Sequence, residues 1–296
     1  MIRRSFLTLA ACALAAPAAA APETHRWQGV ALGADVALTV RGGDPRAARA
    51  FFAESARALR HIEDQFSLFR GSALTRLNAM GHLPHPSDDM RALLALAGRV
   101  HDATGGAFDP TVQPLWQARR LGADETAARA LTCWGDVRIS DAEIRLSPGM
   151  ALTLNGIAQG FAADRLAEIA ARHGLTDLLI DTGETRAIGP RDWTARIEAP
   201  DTRPIRHLTL RNRALATSAP YGTRIGPNED RAHILGAARI PHWATVSVSA
   251  DTAALADALS TAAVLMDRPA IDRALRAFPE ARAERLLPLD EIARDL

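Results

Sequence analysis

Asp257 and Thr261 stand four residues apart in the alanine-rich run 246–266, and at helical spacing both fall on one face. A carboxylate and a hydroxyl so arranged offer two oxygens to a hard cation. Magnesium takes few protein oxygens and fills its shell with water and phosphate. Taken alone, the same pair also fits the solvated face of an ordinary helix. Residues 104–116, TGGAFDPTVQPLW, hold a second cluster. Gly105 and Gly106 let the backbone turn and approach a ligand closely. Asp109 and Thr111 flank Pro110, a residue suited to the first turn of a helix. Helix N-termini favour anions, so Gly106, Phe108, Asp109 and Thr111 are candidates to bind a phosphorylated ligand, with a structural turn and cap as the alternative.

Residues 154–165, LNGIAQGFAADR, and 181–189, DTGETRAIG, form two more glycine-bearing turns. A glycine-flanked turn into a helix presents free N–H groups to an anion such as a pyrophosphate. This brings in Gly156, Gly160 and Gly183, with the carboxylates of Asp164 and Glu184 beside them. Residues 67–78, SLFRGSALTRLN, read as a turn and a helix capped by Ser72, ending at Asn78. Thr217 and Tyr221 bound a short TSAPY stretch, and His233 precedes Ile234 and Leu235. His233 is placed either to accept a proton or simply to pack on a strand.

The elements that must carry these residues follow from periodicity and turn chemistry. A strand is expected over 30–40. A helix should run from Pro45, behind Asp44 as N-cap, to about Asp64, with Ala48, Phe51, Phe52, Ala56, Leu59 and Ile62 at helical spacing. A second helix is expected from Ser87 to the Gly105 and Gly106 stop. A hairpin over 137–146 turns at Asp141 and Ala142. A strand over 151–154 leads into a helix from Gly156 to Arg172, ended by Gly174. Short strands are expected over 178–181, 193–198, 207–210 and 244–248. Asp251 then caps a helix to Met266, and another starts at Arg268 and Pro269. Helices and short strands without regular alternation indicate an α+β fold.

Composition narrows the function. The formal net charge of the 296 residues is +1, which argues against nucleic-acid binding. The chain has no Lys, so a Schiff-base lysine is excluded. There is no G-x-G-x-x-G, no P-loop and no zinc-type His or Cys spacing. The start carries Arg3 and Arg4, then Phe6, Leu7 and an alanine-rich run, which is the pattern of a twin-arginine export signal over 1–20. Ala18, Ala19 and Ala20 offer the cleavage site. A lipoprotein box ending at Cys12 would leave too short an apolar core, so lipid anchoring is not expected. Cleavage after Ala20 leaves Cys133 as the one cysteine, read as a small buried apolar residue.

Order and spacing of these segments, from about Ala31 to Met266, resemble the ApbE-type FAD:protein FMN transferase family, and the exported start resembles its NosX-like branch. The resemblance implies one α+β domain over 21–296, of mixed helices and short, mostly antiparallel strands. It implies transfer of FMN from FAD to a Thr or Ser hydroxyl of a partner protein, with AMP released. It makes Asn78, Gly106, Phe108, Asp109, Thr111, Gly156, Gly160, Asp164, Gly183, Glu184, Thr217 and Tyr221 flavin-nucleotide contacts. Asp257, Thr261 and the carbonyl of Ala158, with that of Gly156 as the alternative, become Mg2+ ligands, and His233 the proton acceptor. The implied partner is a flavin-carrying subunit of a membrane electron-transfer complex, met in the periplasm. The chain departs from the family pattern at Thr153 (Asp in the family), Asn155 (Gly), Gln159 (Lys) and Ala219 (Gly). Residues 236–240 replace an Asp-Pro-x-Thr-Gly motif. These departures leave open a flavin-binding or FAD-hydrolysing relative without transfer, or a non-catalytic assembly factor.

Overall fold

The computed structural model describes residues 23–198 and 204–291; the stretch expected to be an export signal, with its expected cleavage site, lies outside the described residues. The chain opens as a hairpin, β1 (Thr24–Ala31) and β2 (Ala34–Arg41), rather than one strand over 30–40. Leu32 and Gly33 both take positive φ, 52° and 78°, as the tight turn between twisted strands requires. Asp44 accepts the Arg46 N–H and starts α1 (Pro45–Phe66), which buries Ala48, Phe51, Leu59, Ile62 and Phe66. Ser72 and Thr75 form a reciprocal capping box on α2 (Ala73–Met80), and left-handed Gly81 ends it. After β3 (His82–Pro84) comes α3 (Asp88–Ala103), capped by Ser87, then α4 (Gln113–Leu121) and α5 (Thr126–Ala130). β4 (Arg138–Ile139) and β5 (Glu143–Arg145) make the expected hairpin, joined by β3 on the other side of β5.

The strand expected over 151–154 does not form. Those residues are held as a loop instead. The Asn78 amide bonds both the N–H and the carbonyl of Leu152 at 2.8 Å, and the Thr153 N–H bonds the Pro110 carbonyl at 2.8 Å. The next helix, α6 (Ala158–Arg172), begins two residues later than Gly156. β6 (Leu178–Asp181), β7 (Thr185–Ile188), β8 (Trp193–Glu198), β9 (Pro204–Leu210) and β10 (Arg213–Ser218) follow. The chain continues through β11 (Arg224–Ile225), β12 (Arg231–Ala232), β13 (Trp243–Ala250), α7 (Ala253–Ala263), α8 (Arg268–Leu275) and β14 (Arg282–Pro288). Helix α7 stops short of Met266, and Thr252, not Asp251, is its N-cap residue.

The main sheet has the order β1-β2-β6-β7-β10-β13-β14, and every neighbouring pair is antiparallel. The fold is thus α+β, with mostly antiparallel strands, as expected. Side chains alternate across β10. Ala214 and Ala216 join the large core, while Leu215 joins Trp193, Ile197 and Leu210 of the β8–β9 hairpin on the opposite face. On the core side α6 packs on both α1 and α7, and α7 lies against β10 and β13. Every residue of α7 except Thr261 is buried, so this helix has no solvated face. Cys133, expected to be buried, is exposed.

Candidate active site

The N-termini of α6 and α7 meet inside the protein, and each lacks a side-chain cap from its own N-cap residue, Ile157 or Thr252. A helix leaves its first N–H groups unpaired, and here the two helices supply each other. Asp257 Oδ2 accepts the Gly160 N–H at 3.2 Å. Asp164 accepts from Ala253 N–H at 2.8 Å through Oδ1 and from Ala254 N–H at 2.9 Å through Oδ2. The helices approach so closely that a Cβ on Gly160 would stand 2.3 Å from the Ala253 carbonyl oxygen. Arg186 of β7 braces the crossing, with Nε 3.3 Å from Asp164 Oδ1 and a hydrogen bond to the Asp251 carbonyl.

Asp257 is 3% exposed. Burial pushes its pKa up to about 7; the Gly160 N–H opposes the rise and the nearby Asp164 charge adds to it. Glu184 is buried too, and its pKa lies well above the carboxylate range, first through burial and then through the charge of Asp257, while the Thr217 N–H opposes. Glu184 Oε2 has no hydrogen-bond partner. Thr261 stands against the 156–158 turn: a Cβ on Gly156 would lie 2.9 Å from Thr261 Oγ1. Ser218 Oγ lies 2.8 Å from Ser260 Oγ and 3.3 Å from Thr261 Oγ1. No cluster of three His, Cys, Asp or Glu suited to a metal exists among the described residues. A cation here would therefore draw on mixed oxygens: the Asp257 carboxylate, the Thr261 hydroxyl and a main-chain carbonyl of the 156–158 turn. Two buried acids, one with an orphaned oxygen, suit such a charge.

The second glycine turn closes over this corner. Gly183 has φ +95°, its N–H bonds Asp181 Oδ1 at 3.1 Å, and a Cβ there would lie 2.9 Å from the Gln159 amide. Thr182 donates its hydroxyl to the Gln159 carbonyl at 2.9 Å. Gln159 thus sits between the two turns, next to the buried acids. Thr217 reaches Glu184 only through its N–H, because its hydroxyl pairs with Ser247 Oγ at 2.8 Å.

The 104–116 segment is braced from within. Thr104 Oγ1 bonds the Val100 carbonyl at 2.7 Å and accepts the Phe108 N–H at 3.1 Å. His101 Nδ1 donates to the Phe108 carbonyl at 2.9 Å. Gly106 turns with φ +76°, and Asp109 Oδ1 accepts from the Thr111 N–H at 2.9 Å and from its hydroxyl at 2.5 Å. Thr111 is fully buried, so its hydroxyl fixes the local cap. Asn78, spent on Leu152, also lines an open cleft of about 860 Å3 with Met80, Gln113, Gln117, Arg145 and Met150. Of the residues singled out by sequence, Asn78 alone lines that cleft.

His233 Nδ1 lies 2.9 Å from both the Pro220 and the Thr223 carbonyls. Carbonyls accept only, so Nδ1 carries the proton and Nε2 keeps its lone pair. Burial lowers the pKa of the imidazole, partly opposed by these two carbonyls. Tyr221, half-buried, follows Pro220 directly. After His233 the chain makes a tight turn in which Gly236 pairs with Arg239. Arg239 donates to the Gly105 carbonyl at 2.6 Å and Arg129 to the Ala237 carbonyl, so arginines hold the segment that departs from the family motif. Ser218, Ser260 and Arg186 lie within the segments that the sequence singles out, but their types and spacing give no sign of these contacts.

The ApbE family profile matches residues 32–283, and the chain belongs to the ApbE family. It is similar to the FAD:protein FMN transferase of Haemophilus influenzae, 27% identical over 237 residues, which are 69% of this chain and 68% of the relative. The FAD:protein FMN transferase of Treponema pallidum is 27% identical over 259 residues, covering 73% and 71% of the two chains. Among solved structures, the apo flavinyl transferase ApbE of Pseudomonas stutzeri superposes with a TM-score of 0.76 at 26% identity, over 88% of this chain and 90% of that one.

Proposed function

We propose that this protein transfers FMN from FAD to a Thr or Ser hydroxyl of a partner protein, releasing AMP, in a magnesium-dependent reaction. The observation that carries this reading is the corner where Asp257 and Thr261 meet the 156–158 turn inside an ApbE-family fold. These are the residues that would hold magnesium; bound there, the ion supplies neutralisation of pyrophosphate charge. The 156–160 and 183–184 turns, whose Gly160 and Gly183 N–H groups are held by Asp257 and Asp181, would frame the phosphates, and the braced 104–111 segment fixes one wall. His233 Nε2 is free to take the proton of the acceptor hydroxyl as its oxygen bonds the FMN phosphorus and the bond to the AMP phosphate breaks.

The acceptor is proposed to be a flavin-carrying subunit of a membrane electron-transfer complex, reached in the periplasm after twin-arginine export, with membrane contact only through that partner. The twin-arginine route fails as a reading if a reporter fused behind residues 1–22 is still exported when Arg3 and Arg4 are replaced. The transfer reaction is tested with FAD, Mg2+ and an acceptor protein. A fluorescent acceptor band that needs all three, and that Asp257→Ala abolishes, is expected; AMP release without any acceptor labelling would refute transfer. Gln159 favours a second reading, FAD hydrolysis without transfer, because it leaves the buried acids without the lysine that the family places there.

A further inference from the structure

Asp164 lies in the glycine-flanked turn that sequence spacing assigns to a ligand, yet both its oxygens are engaged within the protein, on the Ala253 and Ala254 N–H groups. It supplies from 89 residues away the cap that Thr252 does not. Arg186 reaches the carboxylate and the Asp251 carbonyl together, so one guanidinium fixes both the cap and the corner where β13 turns into α7. In return Asp257 accepts the Gly160 N–H. The two helices therefore cap each other across a crossing too tight for a single Cβ at Gly160. Asp257 lies one turn, and Thr261 two turns, beyond the capped residue Ala253.

We propose that Asp164, braced by Arg186, is a positioning residue: it fixes the start of α7 so that Asp257 and Thr261 meet the 156–158 main chain at the spacing a cation demands. Magnesium requires near-octahedral geometry at short distances, so a small displacement of α7 weakens binding while the fold persists. This role rests on the reading of Asp257 and Thr261 as cation ligands.

The test is a Mn2+ titration, followed by electron paramagnetic resonance, of the full protein with FAD present. It uses wild type, Asp164→Asn, Arg186→Gln and Asp257→Ala, each checked for folding by circular dichroism. Asp164→Asn should weaken Mn2+ binding by about tenfold, in the range of supporting residues around metal ligands. Arg186→Gln should weaken it by a smaller factor, and FAD affinity without metal should stay within about twofold of wild type. If Asp164→Asn does not fold, Arg186→Gln decides. Wild-type Mn2+ affinity in both variants, with Asp257→Ala defective, overturns the positioning role alone. Loss of metal-free FAD binding in Asp164→Asn, with Mn2+ affinity intact, also overturns it, by making Asp164 a flavin contact. Equal Mn2+ binding in wild type and Asp257→Ala overturns the cation site itself, and the positioning role with it.

Discussion

Asp257 accepts the Gly160 N–H at 3.2 Å, so a carboxylate assigned to a cation also caps the helix that carries the opposite wall of the site. Its pKa of about 7 in the fold, against 3.8 for a free Asp side chain, makes the metal-free protein sensitive to pH. Between those values the folded state binds more protons than the unfolded chain. Stability is then fully present below about pH 4 as far as this group is concerned, and is lost as pH rises towards 7. Glu184, shifted the same way, adds to the effect. Thermal unfolding of metal-free protein should show a lower Tm at pH 8 than at pH 5, by on the order of a few kcal/mol of stability. Asp257→Asn should flatten the profile, and Mg2+ should raise Tm more at pH 8 than at pH 5. A wild-type profile as flat as that of Asp257→Asn would count against the buried acid.

At Gly160, α6 lies directly against the start of α7. Gly160→Ala places a methyl 2.3 Å from a backbone oxygen, which cannot swing aside. The expected loss is about 1–3 kcal/mol of stability, the range for overpacked sites. Transfer activity should fall too, because the Gly160 N–H is moved off Asp257. Denaturant unfolding and the labelling assay read the two effects. Unchanged stability would mean that the helices separate without cost.

His233 is neutral at pH 7, with Nδ1–H on two carbonyls and Nε2 free. His233→Gln should reduce kcat by about 10²–10⁴-fold, the worth of a general base, with little change in KM for FAD. The acidic limb of the wild-type kcat profile should lie below the ordinary histidine value of 6.5, because burial disfavours the charged ring. An acidic limb that persists in His233→Gln would assign the proton transfer elsewhere.

Gln159 lies against Gly183, the residue before Glu184, and directly precedes Gly160, whose N–H Asp257 accepts, so a cation introduced at this position is expected to act on both acids. Gln159→Lys should pull the Asp257 pKa down and raise transfer at pH 6–7 several-fold, since more of the carboxylate is then ionised. The ratio of acceptor labelling to free FMN, measured by chromatography, reads this directly. No gain in labelling would mean that Gln159 does not limit transfer.

Much of this site was legible because its signals are local. Asp44 before Pro45, Ser72 three residues before Thr75, and Asp109 before Pro110 each cap their own helix within a few residues. The four-residue spacing of Asp257 and Thr261 was legible for the same reason. The β1–β2 turn was missed because Leu32 and Gly33 carry no Asn-Gly or Asp-Gly signature, and Leu32 at positive φ is held by the flanking strand pair and by Glu63, 31 residues away, which accepts its N–H. The loop at 151–154 has a strand-like composition, but Asn78, 74 residues away, takes the Leu152 N–H and carbonyl that a ladder would use. The mutual capping of α6 and α7 joins groups 89 to 97 residues apart, and no local pattern announces such a contact.

The most direct measurement is mass spectrometry of an acceptor protein incubated with this protein, FAD and Mg2+, with AMP quantified in the same sample. Transfer predicts an acceptor heavier by one FMN, attached at a Thr or Ser, with one AMP released per flavin attached. Both products should disappear with chelator or with Asp257→Ala. An unmodified acceptor beside released AMP and free FMN, or identical products from Asp257→Ala, would contradict it.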